Sequence, residues 1–426
     1  MYNLRRAMKI VHNIDNTPSR IKVFEDIASR HKIIAFVFAF YNKVARTPLG
    51  PLLLMAYGAK CFLGLGRPSN NQASILSISA FANERHANQF IAECAPNIDF
   101  DIIPISKKYW ISPYSWGSFI RYLPLFFRTY RIARHISRRY SFMPSCRIFS
   151  VLALYLRCKK LLSSSDSKAV LVASNYSPES LALAAAAHAL NKKVIYTNHA
   201  NVPANTIYVP PVYADLSILT GTVTLTTYKK RASFRGELVL KGLPGVASSM
   251  QYEPLISSDL TAGIFLTAMT NMQFVDQCIR DLQELSNVSS ILIRPHPVSL
   301  VNNDFSSVIA QYSDITVSQG RSLSQDIAAC DFILSGNSGV PLEILRGGKP
   351  VIYLGELDTM PHDFVGFISE GLIPETAQIS EQVFLQLINF YSDVDWKNHM
   401  KRYDASYLEE PDAIARNISK SIQELL

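Results

Sequence analysis

The chain has 426 residues, of which 48% are hydrophobic, with 42 Lys+Arg against 34 Asp+Glu. This is too apolar and too weakly charged for a disordered protein and too long for a one-domain binding module. At about 100–200 residues per domain, two domains of comparable size are the first expectation.

The N-terminal part is strongly basic. Residues 1–160 hold 24 Lys+Arg and 7 Asp+Glu, a net charge of +17, whereas the remaining residues hold 18 and 27, a net of −9. Such asymmetry points to an anionic partner for the first part: a membrane surface, an acidic polymer or nucleic acid. The stretch Met1–His12 carries Arg5, Arg6 and Lys9 but no apolar core of signal-peptide length, so export is not expected. The apolar runs Ile33–Phe40 and Gly50–Tyr57 fall short of the ~20 residues that cross a bilayer. Six cysteines, at 61, 94, 146, 158, 278 and 330, lack the spacing of a zinc knuckle, a redox CxxC or a disulfide ladder, which fits buried thiols in a reducing cytosol.

Between Pro124 and Tyr140 the apolar residues Phe126, Phe127, Tyr130, Ala133 and Ile136 recur at helical spacing, with Arg128, Arg131, Arg138 and Arg139 on the other side. A basic amphipathic helix of this kind either lies in a membrane interface or packs on a core with its basic face in water. Trp110, Tyr114, Trp116, Phe119 and Tyr122 precede it, residues of the type that collects at headgroup depth.

From about residue 73 onward β-rich runs alternate with helical stretches, the pattern of βαβ units and parallel sheets. Strands are expected at 74–79, 101–105, 169–173, 194–197, 216–219, 263–267, 291–294, 314–317, 332–334 and 351–354. Ser177-Pro178-Glu179 opens a helix to Leu190 with Ser as N-cap and Pro at the first helical position, where its missing N–H costs nothing. Further helices are expected from Ser380 to Tyr391 and within Tyr407–Leu425. Gly, Pro and Ser cluster from Lys241 to about Asp259, which places a domain boundary there.

Ligands of open α/β sheets bind beyond the carboxyl ends of the strands, so polar residues there are the candidates for chemistry. After 169–173 comes Asn175-Tyr176-Ser177-Pro178-Glu179, where Glu179 is either a first-turn carboxylate favoured by the helix dipole or a general base for an acceptor hydroxyl. After 194–197 comes Asn198-His199-Ala200, where His199 is a phosphate or acceptor contact or a loop histidine bonded to backbone. Arg294-Pro295-His296-Pro297 sets a cation and an imidazole on a rigid strand exit, suited to a phosphate. Ser335-Gly336-Asn337-Ser338-Gly339 leads into a helix start that can hold an anion, with Glu343 one turn in and able to accept from ribose hydroxyls.

Arg294-Pro295-His296-Pro297 together with Asp331-Phe332-Ile333-Leu334-Ser335-Gly336-Asn337-Ser338-Gly339-Val340-Pro341-Leu342-Glu343, followed by Gly348-Lys349-Pro350-Val351, resembles the C-terminal half of GT-B glycosyltransferases. More narrowly, the pattern is similar to bacterial surface-polysaccharide enzymes: capsular Kdo transferases, polysialyltransferases and CDP-glycerol glycerophosphotransferases. The segments around Leu354-Gly355-Glu356-Leu357-Asp358 and Asp363-Phe364-Val365-Gly366-Phe367 are most similar to the Kdo transferase branch. The likeness spans roughly residues 165–375. It departs from the pattern where Ala200 follows His199 in place of a Gly, and where Gly336 and Asn337 separate the two serines.

This resemblance implies an α/β chain of the GT-B type, with two Rossmann-like domains facing across a cleft. Residues 1–245 would form an acceptor-binding domain that carries the basic aromatic membrane-facing segment, 260–400 a nucleotide-sugar-binding domain, and 401–426 a closing helix. It implies that His296 and the serine motif hold the nucleotide phosphate, with Arg294, Ser335, Asn337, Ser338 and Glu343 as nucleotide-binding residues and Glu179 as the base by its position. The reaction would move a sugar from a CMP-Kdo-like or other pyrimidine nucleotide donor to a hydroxyl of a surface glycan, free or lipid-linked. No metal and no cofactor is expected, and the protein would sit peripherally on the cytoplasmic side of the inner membrane. The alternatives are CDP-alditol phosphotransfer and, outside enzymes, nucleic-acid binding; nucleic acid is not expected as a partner, because the basic residues form no recognised motif. A nucleotide-sugar epimerase shares the architecture but is not expected to carry the basic aromatic extension.

Overall fold

The computed structural model describes residues 3–426 except 31, 106–112, 232, 244–251, 253–254, 256–258, 268, 297–304, 306–310, 313 and 360–362. Trp110, Pro297 and most of the expected linker therefore lie outside the described residues, as do the side chains of Tyr114 and Phe126.

The chain opens with a helical layer: α1 (Leu4–Asp15), α2 (Pro18–Arg30), α3 (Lys32–Val44) and α4 (Leu49–Gly64). The first α/β unit follows, with β1 (Ile75–Ile78), α5 (Ala82–Cys94), β2 (Phe100–Ile103), α6 (Pro113–Arg128), α7 (Tyr130–Arg139), α8 (Phe142–Ser163), β3 (Ala169–Val172), α9 (Pro178–Ala189), β4 (Lys193–Thr197), β5 (Leu216–Leu219), α10 (Thr222–Arg231) and β6 (Glu237–Leu240). The second unit holds β7 (Leu260–Phe265), α11 (Met272–Gln283), β8 (Val288–Arg294), β9 (Ile315–Val317), α12 (Leu323–Ala328), β10 (Phe332–Ser335), α13 (Val340–Arg346), β11 (Val351–Tyr353), α14 (Gln382–Ser392) and α15 (Val394–Tyr403). The last helix is α16 (Pro411–Leu425).

Every run expected to be a strand is one, and both sheets are parallel throughout. The first has the order β2-β1-β3-β4-β5-β6 and the second β11-β10-β7-β8-β9. Side chains alternate between the two faces of a strand. In β3, Val170 and Val172 enter the core shared with α1, α4, α8 and α9, while Ala169 and Leu171 face the layer of α5 and α16. Strands covered on both sides in this way read as continuous apolar runs. Helix α9 begins as its sequence requires: Ser177 Oγ accepts from the N–H of Ser180 at 3.2 Å, with Pro178 at the first helical position. Five of its alanines, Ala182, Ala184, Ala185, Ala186 and Ala187, are buried, small enough to seat the helix between sheet and α8.

The basic amphipathic stretch 124–140 is not one helix. It breaks at Thr129 into α6 and α7, and Ala133 and Ile136 are buried in the main core instead of facing outward. The reason is α4, whose sequence is apolar on most sides and needs cover; α7 supplies it. Phe127 of the same stretch does face outward, 64% exposed, and with Ile120, also 64% exposed, it forms an apolar stripe on α6; a second stripe lies on α3, with Ile33 80% and Phe36 70% exposed. Among the described residues no helix is long and apolar enough to cross a membrane.

The chain passes between the units twice, and Asp404 holds both crossings. Its buried carboxylate accepts from the N–H of Leu243 at 2.9 Å and from Ser406 Oγ at 2.6 Å, and it forms an ion pair with Arg346, whose Nε lies 3.0 Å away. Where the two units touch, Gly366 lies at φ +78, and a Cβ there would stand 2.1 Å from Pro203 Cβ, so this approach admits only glycine.

Candidate functional site

The carboxyl ends of the two sheets face each other across a cleft of about 390 Å³. From the first unit it is lined by His86, Phe90 and Glu93 of α5, by Asn198 and His199 after β4, by Thr220 after β5 and by Lys241 after β6; Glu343 of α13 faces them from the second unit. A larger cavity of about 540 Å³ opens at the other end of the first sheet, beside His188, Lys192 and Asp215. It lies at the amino ends of β4 to β6, away from the strand exits where open α/β sheets place their ligands.

His199 stands between two spaces. It lines the cleft on one side, and on the other a cavity of about 180 Å³ walled by Arg20 of α2, Tyr176, Tyr196, Tyr208 and, from the second unit, Phe364 and Val365. The imidazole Nδ1 is 3.0 Å from the carbonyl of Ala173. A carbonyl only accepts, so Nδ1 carries the hydrogen, and in the neutral ring Nε2 keeps its lone pair. Tyr176 donates its hydroxyl hydrogen to that Nε2 at 3.3 Å. The loop is held from below by Asn198, whose Oδ1 accepts from the N–H of Thr220 at 2.7 Å and from its hydroxyl at 3.0 Å. The arrangement fixes the orientation of an imidazole that borders both spaces.

Glu179 is placed differently from Glu343 and His199. It does not line the cleft; its carboxyl interacts with Arg147 of α8, with Glu84 of α5, and with Tyr57 and Cys61 of α4. Its Oε2 is buried without a hydrogen-bond partner, and burial holds the group above the usual carboxylate range.

In the second unit, β8 delivers Arg294 and His296. The Arg294 guanidinium donates to the buried Asp326, which Arg321 Nε also meets at 3.1 Å and Ser318 Oγ at 2.5 Å. Arg294 thus ties the strand exit to α12. His296 is half-buried, and burial pushes its imidazole below the ordinary value, which leaves it neutral near pH 7 until an anion arrives.

The serine loop is braced from inside. Ser335 ends β10 fully buried, Ser338 Oγ accepts from the N–H of Val340 at 3.2 Å, and Asn337 Oδ1 accepts from the N–H of Phe364 at 3.1 Å. Asp358 accepts from Asn337 N and from Thr267 Oγ1, and it lies so close that a Cβ on Gly336 would meet its carboxylate at 2.4 Å. Glu343 is exposed at the cleft mouth, yet the protein around its carboxyl raises its pKa against the opposing pull of Arg346.

The structure therefore brings His199 and Glu343 to one cleft and leaves Glu179 behind it. Sequence reasoning missed Lys241, Asp358 and Thr267. A lysine closing the apolar run Leu238-Val239-Leu240 was a signal for the first; the contacts of the other two span remote segments and leave no local trace.

No family model matches the sequence, and no curated protein matches it. Solved structures do. A protein from Listeria monocytogenes described as a UDP-N-acetylglucosamine 2-epimerase superposes with a TM-score of 0.52 at 11% identity, over 83% of this chain and 96% of that one. The glycotransferase of kitacinnamycin gives 0.50 at 10% identity, over 83% and 99%. With two parallel Rossmann-like sheets facing across a cleft, the chain has the GT-B fold. At these identities the likeness establishes the fold; activity has to be argued from the site.

Proposed function

We propose that the protein is a glycosyltransferase that moves a sugar from a pyrimidine nucleotide to a hydroxyl of a glycan or lipid-linked glycan, as in capsule, O-antigen or lipooligosaccharide synthesis. The observation that carries this reading is His199, a tautomer-fixed base between the donor-sized cleft and a second cavity closed by both units. An acceptor in the smaller cavity would give its hydroxyl proton to Nε2 as the oxygen attacks the anomeric carbon, and the bond from that carbon to the nucleotide phosphate would break. Negative charge then grows on the departing phosphate, where His296 and the serine loop stand, and Glu343 accepts from the ribose. In this scheme Arg294 and Asp358 are positioning residues, and His199 takes the base role that position alone suggested for Glu179.

Thermal-shift and calorimetric titration with UDP, CMP, CDP, UMP and GDP tests the nucleotide site, because a ligand that binds only the folded state raises its melting temperature. His296→Ala and Glu343→Ala each remove a charge-assisted contact of about 1.5–3 kcal/mol. The expected result is nucleotide affinity weaker by about 10- to 100-fold with the fold intact. Unchanged affinity in both variants removes the assignment.

We further propose that the protein works on the cytoplasmic face of an inner membrane, beside a lipid-linked acceptor. The reading is supported by the two stripes on α3 and α6, Ile33, Phe36 and Phe40 on one and Trp116, Ile120 and Phe127 on the other, set among basic residues that include Arg121, Arg128 and Arg131. Each basic residue near an anionic leaflet adds ~1 kcal/mol. Flotation with liposomes is expected to require anionic lipid, to weaken in high salt, and to be lost when Phe36→Asp and Ile120→Asp are combined. Because both side chains are exposed, the melting temperature should hold. Equal recovery with neutral and anionic liposomes, or none with either, excludes this placement and leaves the transferase reading standing.

A further inference from the structure

The N-terminal wall of the cleft holds a cation that the scheme above does not use. Lys241 follows β6 directly and is only 4% exposed. Its Nζ donates to Thr197 Oγ1 at 2.7 Å and lies 5.8 Å from the centre of the Phe90 ring. An ammonium has three N–H donors, and lysine is almost never this buried unless it meets an anion. Here the hydroxyl of Thr197 and the ring of Phe90 are both uncharged. The titratable groups around it are Cys94, Glu93 and His86 of α5, His199 after β4, and Glu343 across the cleft; among the described residues no carboxylate forms an ion pair with it. Burial lowers the amine to about 7, so the site changes charge in the neutral range.

We propose that Lys241 makes the N-terminal wall of the cleft an oxyanion-binding subsite, which takes a carboxylate or phosphate group of the substrate that enters there. Two features fit this assignment. The amine is held by a buried hydroxyl, so it is aimed without being neutralised. It also faces the cleft from the unit opposite the serine loop, so the oxyanion it meets is a second one, distinct from the phosphate held by His296. The inference rests on reading the cleft as the substrate site, and it extends that reading to a substrate with two anionic groups, such as a nucleotide donor whose sugar or acceptor is itself acidic.

The test uses pyrophosphate and glucuronate as separate probes, titrated calorimetrically into the full-length protein and its Lys241→Met and Lys241→Arg variants. Wild-type affinity for one of the probes is expected to fall by about tenfold or more between about pH 6 and about pH 8.5, as the ammonium loses its proton. Lys241→Met should bind that probe weakly and without pH dependence, while Lys241→Arg, charged throughout, should bind it at both pH values. A response to glucuronate identifies a sugar carboxylate as the partner, and a response to pyrophosphate identifies a phosphate. No binding of either probe to the wild type, or unchanged binding in Lys241→Met, overturns the proposal. The UDP and CMP thermal shifts run in parallel and report the nucleotide site separately: a lost probe with retained nucleotide binding isolates the Lys241 subsite, and wild-type protein that binds glucuronate but no nucleotide retains the subsite while removing the transferase reading.

Discussion

Replacing His199 with asparagine is expected to lower turnover by about 10³-fold, within the range a positioned general base contributes. The asparagine amide can still donate to the Ala173 carbonyl, so the loop keeps its anchor, but the nitrogen that faces Tyr176 and the two spaces is gone. Nucleotide binding, measured by thermal shift, should be unaffected because the proposed phosphate contacts, His296 and the serine loop, belong to the other unit. Glu179→Gln is the comparison. Its carboxyl points into the layer of α4 and α8, so turnover should stay within about threefold of wild type, the behaviour of a group outside the reaction path. Loss of turnover in Glu179→Gln with full activity in His199→Asn would return the base role to the carboxylate.

The second large effect concerns stability. Helix α16 places Ile414, Ile418 and Ile422, all buried, against Ile75, Leu171, Ile195 and Ile218 of the first sheet. Each Ile→Ala change there is expected to cost about 2–5 kcal/mol. Against a total stability of about 5–15 kcal/mol, Ile418→Asp or removal of residues 411–426 should leave no cooperative unfolding transition in the first unit. Circular dichroism melts and solubility check this. A truncated chain that melts like the full one would show that the outer face of the sheet does not depend on the helix.

The strands and the candidate loops after them were legible because their signals are local. Continuous apolar runs mark strands covered on both faces, and Ser177-Pro178 carries its helix start within two residues. Arg294-Pro295-His296 at the end of its strand and the loop from Ser335 to Gly339, where strand, turn and helix start lie within a dozen positions, stood out for the same reason. Strand β6 was missed because Glu237 and its short run stand next to charged and turn residues that hide it. The choice between Glu179 and His199 was not readable at all. Both follow a strand by a few residues, and only the packing of α4 and α8, supplied by residues as distant as Tyr57 and Arg147, turns the first carboxyl inward. The facing of the stretch 124–140 was hidden for a related reason. The helical spacing of Phe127, Tyr130, Ala133 and Ile136 is real, but spacing does not say whether the apolar face meets lipid or α4.

The anchoring of Asp404 sets how the cleft moves. Backbone crosses from the first unit to the second near Gly242 and returns near Ser406, and the two passages touch, since a Cβ on Gly242 would stand 2.5 Å from Ser406 N. Two adjacent strands of chain behave like the paired pins of a door: they permit swing about the line that joins them and resist twist about the other axes. A hinge of this form would confine opening and closing mainly to one angle. If the proposed roles hold, His199 on one leaf and His296 on the other would be returned to the same register each time the leaves close about that line.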